Sequence, residues 1–248
     1  MTRFLVFRLW GPMTAWGDVA VGERRPAFAH PTRSATLGLV GAALGLRRDS
    51  PELAQLERGY GYACRVDSPG VLLSDFHTAE RARASAARKN PPRSRKEELA
   101  LELDHPVVSR RDYYCDALAA ACLWPLDGES PFDLETLADA LKRPRFTPYL
   151  GRKSCPLGMP LQPQIVEAAD PAAAIDAARF ADVEMLAPVL RGAERRGTYR
   201  WEGEWPRLRP EQTVRRRDQA RSRVSWQFVE RVEHVAQRRR SADVAEQS

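Results

Sequence analysis

An apolar run, Phe4–Leu9, broken only by Arg8, opens the chain and reads as a buried strand. It stops at Gly11-Pro12 and gives way to a loop carrying Trp10, Trp16, Arg24, Arg25 and Arg33. From Ser34, a residue type suited to an N-cap, the pattern turns to an almost wholly apolar helix, Ala35–Leu46. Gly38, Gly41 and Gly45 fall inside it. Glycine costs up to about 1 kcal/mol in a helix interior, so three of them imply close backbone packing on a sheet. Pro51–Arg58 predicts a second short helix. Tyr60–Asp67 and Val71–Thr78 predict two strands joined at the turn Ser68-Pro69-Gly70. Tyr114–Trp124 predicts a strand, Pro131–Leu141 an amphipathic helix and Ile165–Ala169 another strand. Residues 182–222 carry no clear period, and Arg223–Val235 closes the fold as a strand with alternating Val224, Trp226 and Phe228.

The order strand, helix, strand, strand, helix, strand fits an α+β fold of the ferredoxin-like, split β-α-β type with an antiparallel sheet. A chain of 248 residues is long enough to bury a real core. On this pattern, residues 1–165 form the ferredoxin-like core. Residues 166–236 are a small β-rich extension that completes the sheet, and 237–248 a frayed tail. Residues 79–109 differ in character: Glu80–Lys89 is rich in Arg and Ala, Asn90-Pro91-Pro92 breaks the chain, and a mixed-charge stretch runs on to His105. With little apolar surface to bury, this insertion should project and be mobile unless bound.

Composition narrows the function. No apolar run approaches the roughly 20 residues a bilayer requires, and the N-terminal run is too short and too interrupted for a signal peptide. Cys64, Cys115, Cys122 and Cys155 are scattered, with no Cys-x-x-Cys pair and no His at ligand spacing. Neither a metal site nor a disulfide framework is expected, and reduced thiols suit a cytoplasmic protein without a cofactor. No glycine-rich fingerprint ending in Lys-Ser/Thr is present. Net charge is +6, but it is segregated. Residues 81–111 hold nine Lys/Arg against four Asp/Glu, and residues 191–240 hold fifteen against seven. Because only four of the 39 basic residues are lysines, the arginine count reflects a compositional bias that a GC-rich genome produces. The segregation does not, and it is the footprint of a polyanion binder.

Candidate contacts follow from that charge. Arg24, Arg25, Thr32, Arg33 and Ser34 lie in or after the first loop, beside the amide-rich start of a helix, where backbone N–H groups and guanidinium suit phosphate oxygens. Arg110 and Arg111 re-enter a strand after the insertion. The basic turn Arg145–Leu157 offers Tyr149, Gly151, Arg152, Lys153 and Ser154. Tyr149 either stacks on a base or packs under its own turn. Trp10 and Trp16 either meet bases or cap the core, and exposed arginines can be no more than solvated charge. Catalysis is the rival class. Metal-free RNA cleavage needs a positioned base and acid. His30, His77, His105 and His234 are isolated, and only His77 with Asp75 makes a pairing, which a satisfied strand histidine explains more simply than a catalytic one.

Several ordered motifs converge on one family. Gly11-Pro12-Met13-x-Ala15-Trp16-Gly17 is followed by Pro31-Thr32-Arg33-Ser34, Gly38-Leu39-x-Gly41-Ala42-x-Leu44-Gly45 and Arg48-Asp49. Asp75-Phe76-His77-Thr78 and Thr147-Pro148-Tyr149-Leu150-Gly151-Arg152-Lys153-Ser154-Cys155-Pro156-Leu157 come next. Together they resemble the CasD family of type I-E CRISPR Cascade subunits, over residues 3–165 and more weakly beyond. The resemblance implies a RAMP-superfamily (RRM-like) ferredoxin-like domain with a protruding thumb, here residues 79–111. It implies a non-catalytic subunit of an antiviral ribonucleoprotein. Such a subunit binds the 5′ handle of the mature guide RNA beside the backbone subunit and the large subunit, with no membrane partner. Thumb residues Arg81, Arg83, Arg88, Lys89, Arg93 and Arg95 are then expected to divide between RNA and the neighbouring subunit. The alternative function is a metal-independent endoribonuclease that processes CRISPR repeat RNA, as related type I-C subunits do.

Overall fold

The computed structural model describes residues 1–126, 130–186 and 197–237. Strand β1 (Thr2–Trp10) leads into a loop with four two-residue strands, β2 (Met13–Thr14), β3 (Trp16–Gly17), β4 (Arg24–Arg25) and β5 (Ala27–Phe28). Helices α1 (Arg33–Leu44) and α2 (Pro51–Gly59) follow, then β6 (Tyr60–Ser68) and β7 (Val71–Ala79). Two short helices, α3 (Ala84–Lys89) and α4 (Arg95–Leu99), separate β7 from β8 (Val107–Cys115) and β9 (Leu118–Pro125). The remainder is α5 (Leu134–Lys142), β10 (Gln164–Ala168), α6 (Pro171–Ala177), β11 (Thr198–Trp201), β12 (Gln212–Ser222) and β13 (Gln227–Gln237).

Seven strands form one sheet in the order β10-β1-β9-β6-β11-β13-β12, with every neighbouring pair antiparallel. Strand β1 sits inside the sheet and is buried on both faces, which is why it reads as a continuous apolar run rather than an alternating one. Its side chains still divide with period two. Leu5, Phe7 and Leu9 join the core under α1, α2 and α5. Phe4 and Val6 join a second core under α6, with Trp124 and Trp201. Each such fully buried side chain contributes about 1.5–3 kcal/mol. Arg8 falls on the α6 face and is 2% exposed. It is kept there by donating to the carbonyls of Ala181 (2.9 Å) and Pro160 (3.1 Å).

A second sheet stands apart from this one. Strand β8 pairs antiparallel with β7 along the whole length of β7, antiparallel with β2, and parallel with β4. The run expected as one strand, Tyr114–Trp124, is therefore two strands in two sheets. The chain changes sheet at Asp116, whose backbone is left-handed (φ 59°). Strands β7 and β8 form the two arms of a hairpin whose tip carries α3 and α4. The tip has local order of its own: Ala82 bridges Leu103, and Arg83 N–H donates to the Glu102 carbonyl at 2.8 Å.

Three boundaries differ from the sequence expectation. The N-cap of α1 is Thr32, whose hydroxyl accepts from Ala35 N–H, and not Ser34. The α1 glycines do not pack on the sheet. Gly41 faces Leu53 of α2, Gly38 faces Arg223, and Gly45 is the left-handed C-cap. The closing strand begins at Gln227, so Val224 and Trp226 belong to the β12–β13 turn. The C-terminal tail expected to fray lies, from residue 238 on, outside the described residues.

Candidate nucleic-acid interface

One groove of about 1010 Å³ runs along the glycine-bearing face of α1. Its far wall is the turn after α5, through Arg145, Phe146, Tyr149, Gly151 and Lys153. The β12–β13 turn closes one end with Arg223 and Trp226, joined by Phe228 at the start of β13. Phe146 is 47% exposed and Tyr149 36% exposed, so both rings are accessible. The turn is held by its buried neighbours. Leu150 and Cys155 are fully buried, and Leu150 N–H donates to the Cys155 carbonyl at 2.8 Å. Ala15 N–H reaches the Leu150 carbonyl at 2.9 Å. Gly151 adopts φ 91°, and a Cβ there would run into the Ala15 carbonyl. Only glycine fits that position.

A ridge of arginines on β4 and β8 lies beyond the groove lining and is tied to the groove's far wall through Arg152. The parallel pairing of β4 with β8 sets Arg24 beside Arg110 and Arg25 beside Arg111. Arg152 lies over the Tyr113 ring at 4.8 Å and donates to the carbonyls of Asp112 (3.0 Å) and Arg25 (2.8 Å). It therefore staples the 145–156 turn to the ridge, and part of its donor capacity is already used. Arg24 also reaches buried Asp112 at 3.3 Å. The turn thus directs two successive cations to different places. Arg152 goes to the ridge, while Lys153 stands exposed in the groove, and Ser154 is exposed beside it.

Arg33 is the clearest departure from the sequence reading. Its side chain is 3% exposed and faces no open surface. It donates to the carbonyls of Glu57 and Tyr60, at the C-terminal end of α2, and to the Glu202 carboxylate at 3.2 Å. The amide at the start of α1 is taken as well: Arg33 N–H donates to Asp218 Oδ2 at 2.9 Å. A helix N-terminus favours an anion, and here the protein supplies its own. Thr32 is buried, and the Ser34 carbonyl accepts from Arg223. The α1 start is therefore a structural joint. The tryptophans follow the same pattern: Trp16 is 2% exposed in the core, and Trp10 packs against Gly158.

A buried charge network continues that joint into the C-terminal ribbon. Arg231 donates to both oxygens of Asp218 (2.7 and 3.0 Å) and to Glu233 (3.0 Å). Arg200 and Arg216 complete the surroundings of Glu233. Burial alone would raise the Glu233 carboxyl, but Arg231, Arg200 and Arg216 hold it below its ordinary value. Burial pushes the Glu57 carboxyl up, against the opposing pull of Arg223 and Arg33. These contacts span 185 residues of sequence between Arg33 and Asp218, so no local signal announces them.

On the hairpin, Arg81 pairs with Asp104, Arg83 with Glu102 and Asp104, and Arg95 with Glu98. Arg88 and Lys89 are exposed in the last turn of α3, and Arg93 is exposed before α4. His77 and Asp75 bond to each other on β7 and do not line the groove. Among the described residues no cluster of His, Cys, Asp and Glu could hold a metal ion, and no helix is long and apolar enough to cross a membrane. The groove residues that sequence reading missed are Arg145, Phe146 and Trp226. The first two lie inside the basic stretch already singled out, four and three residues before Tyr149, and what the sequence does not show is that they share a groove with α1 and the β12–β13 turn.

The chain is 35% identical over 184 residues to the CRISPR system Cascade subunit CasD of Escherichia coli (strain K12), covering 71% of this chain and 76% of the relative. A solved CRISPR RNA-guided surveillance complex contains a chain that superposes with a TM-score of 0.63 at 25% identity, covering 94% of this chain and 89% of that one. A crystal structure of a Cas protein superposes with a TM-score of 0.56 at 25% identity, covering 95% and 93%. The family model described as CRISPR-associated protein (Cas_Cas5) matches residues 4–232, well past the point where the motifs fade, and the chain belongs to that family.

Proposed function

We propose that this protein binds the 5′ handle of a mature CRISPR guide RNA in the groove along α1, caps that end of the guide, and does not cut it. One observation carries the reading. Exposed aromatic rings (Phe146, Tyr149) and exposed cations (Arg145, Lys153) share one groove with a helix face kept smooth by glycine, beside a ridge of arginines. Unpaired RNA is recognised by stacking its bases on aromatic rings and by neutralising its phosphates with Arg and Lys, and this surface offers both. One pair of the ridge, Arg24 with Arg110 on one face of the strands or Arg25 with Arg111 on the other, would carry the backbone toward the groove. Within the sheet, the order β10-β1-β9-β6 supports a ferredoxin-like core, and the β7–β8 hairpin with its two-helix tip supports the thumb assignment.

The relatives support membership of a Cascade-type assembly, and the neighbours in this reading are a backbone subunit and the large subunit. A non-catalytic role is supported by the chemistry of His77. Its partner Asp75 lies on the same strand, and neither lines the groove where RNA would be held. Incubating the full chain with labelled CRISPR repeat RNA in EDTA tests the reading. Retained, intact RNA is expected. Specific scission, abolished by His77→Ala or Tyr149→Phe, would overturn it in favour of an endoribonuclease.

A further inference from the structure

The turn between β12 and β13 carries an exposed tryptophan that neither the core nor the backbone explains. Trp226 is 54% exposed and its backbone is left-handed, at φ 51°. Glycine or asparagine fills such a turn position without strain, whereas a bulky side chain there is a genuine outlier. Strained residues persist where surrounding structure fixes them, and they concentrate at functional sites.

The surroundings do fix this one. Ser225 N–H donates to Ser222 Oγ at 3.2 Å, and the two hydroxyls lie 2.9 Å apart, closing the turn. Arg223 then anchors the turn to the helix pair through Glu57 and the Ser34 carbonyl. Its guanidinium lies across Gly38, where even a methyl group would come within 3.2 Å of it. On the other side, the Arg48 guanidinium sits over the Trp226 ring at 4.3 Å. The Phe228 ring follows at 6.1 Å. An indole backed by a cation, held rigidly and left half open, lines the same groove as Lys153 and Arg145.

We infer that Trp226 is a stacking platform for an unpaired RNA base, with Arg48 as the cation that orients the ring. This rests on the reading of the groove as an RNA site and adds to it a specific contact from the C-terminal ribbon. The chemistry favours one occupant. An aromatic face takes any base, the groove cations take the flanking phosphates, and a base held in a duplex cannot reach the platform.

The probes are an RNA oligonucleotide with the 5′ repeat-derived segment of the guide, the same RNA annealed to its complement, and a version with 2-aminopurine substituted along its length. With the full chain, Trp226→Ala should weaken single-strand binding by about 5- to 150-fold, the range that losing one stacked base implies. The slope of affinity against salt should stay the same, because no phosphate contact is lost. Trp226→Phe should retain most of the affinity and Trp226→Leu should not, and quenching of 2-aminopurine at one position should vanish in Trp226→Ala. The duplex should bind more weakly than the single strand to the parent protein alone. If the parent binds RNA but Trp226→Ala or Trp226→Leu binds as tightly, the platform is refuted while the RNA reading stands. If the parent binds none of the probes, both fall.

Discussion

Replacing Arg33 with alanine separates a structural joint from a phosphate contact. The guanidinium is buried, and its partners are the Glu57 and Tyr60 carbonyls at the end of α2 and the carboxylate of Glu202. Removing it leaves two buried carbonyls without their donor, at about 1–3 kcal/mol each, and leaves the partly exposed Glu202 with Arg231 as its remaining cation, so the cost is about 3–5 kcal/mol. That is a large share of the roughly 5–15 kcal/mol by which a domain is stable. For a chain of this size each kcal/mol moves the melting temperature by about 2–4 °C, so a fall of about 6–20 °C is expected. The assay is thermal unfolding by circular dichroism, paired with a filter-binding salt titration against single-stranded RNA. At a temperature where Arg33→Ala is folded, the slope of log affinity against log salt should match the parent. A melting temperature within about 2 °C of the parent would refute the burial argument, and so would a slope reduced by about one charge.

Three further outcomes follow from the same structure. Gly151→Ala forces a side chain into the left-handed region and against the Ala15 carbonyl, so it should displace the turn bearing Tyr149 and Lys153. RNA affinity should drop at least about tenfold while most of the secondary structure remains, and unchanged affinity would show that the turn does not form the wall of the RNA site. His30 is buried and pushed down to about 2, by burial first and then by Arg200 and Arg216. It is neutral in the folded state and charges on unfolding, so its contribution is complete above its ordinary value of 6.5 and is lost as pH falls below that. About 2 kcal/mol should disappear by pH 5, and His30→Gln should flatten that decline in a denaturant titration; identical pH profiles would contradict it. Excising residues 80–106 and joining the arms with a short Gly-Ser linker should leave the isolated protein's melting temperature nearly unchanged, because Ala82 is the one residue of 80–106 among the buried apolar side chains. The same change should impair incorporation into a Cascade-type complex, measured by co-purification of partner subunits and guide RNA. Normal assembly would refute the thumb assignment.

The elements with apolar patterns were legible in the sequence, and those built on charge were not. Strand β1, helix α5 and the turn at Gly70 follow from runs, amphipathic spacing and turn chemistry that need no distant partner. The C-terminal ribbon is different. Its buried positions are Asp218, Arg231, Glu233 and His234, with Val235 the one buried apolar residue among the described positions of β12 and β13, so a hydrophobicity pattern cannot mark the strands. The register of β12 and the true start of β13 were lost for that reason. The break between β8 and β9 was missed because Asp116 is a single residue in the left-handed region, and Asp tolerates that conformation without the glycine that would have flagged it.

The site divided in the same way. A basic turn with glycine is a local signal, and the structure places its Tyr149 and Lys153 in the groove, with Gly151 the residue that shapes the turn. Arg33 was misread because its acceptors come from α2 and from Glu202, while the helix start it was meant to offer is filled by Asp218. Trp226 was read as a strand residue in an alternating run. Its role at the groove depends on Arg48, brought beside it only by the fold.

The groove itself is tested most directly by photo-crosslinking the full chain to single-stranded guide RNA carrying 4-thiouridine, followed by mass spectrometry of the attached peptides. The account predicts crosslinks concentrated on residues 145–153, with Phe146 and Tyr149 the foremost sites, and a second set at Trp226. Crosslinks confined to the β7–β8 hairpin or to the α6 face, with none on 145–153, would contradict it.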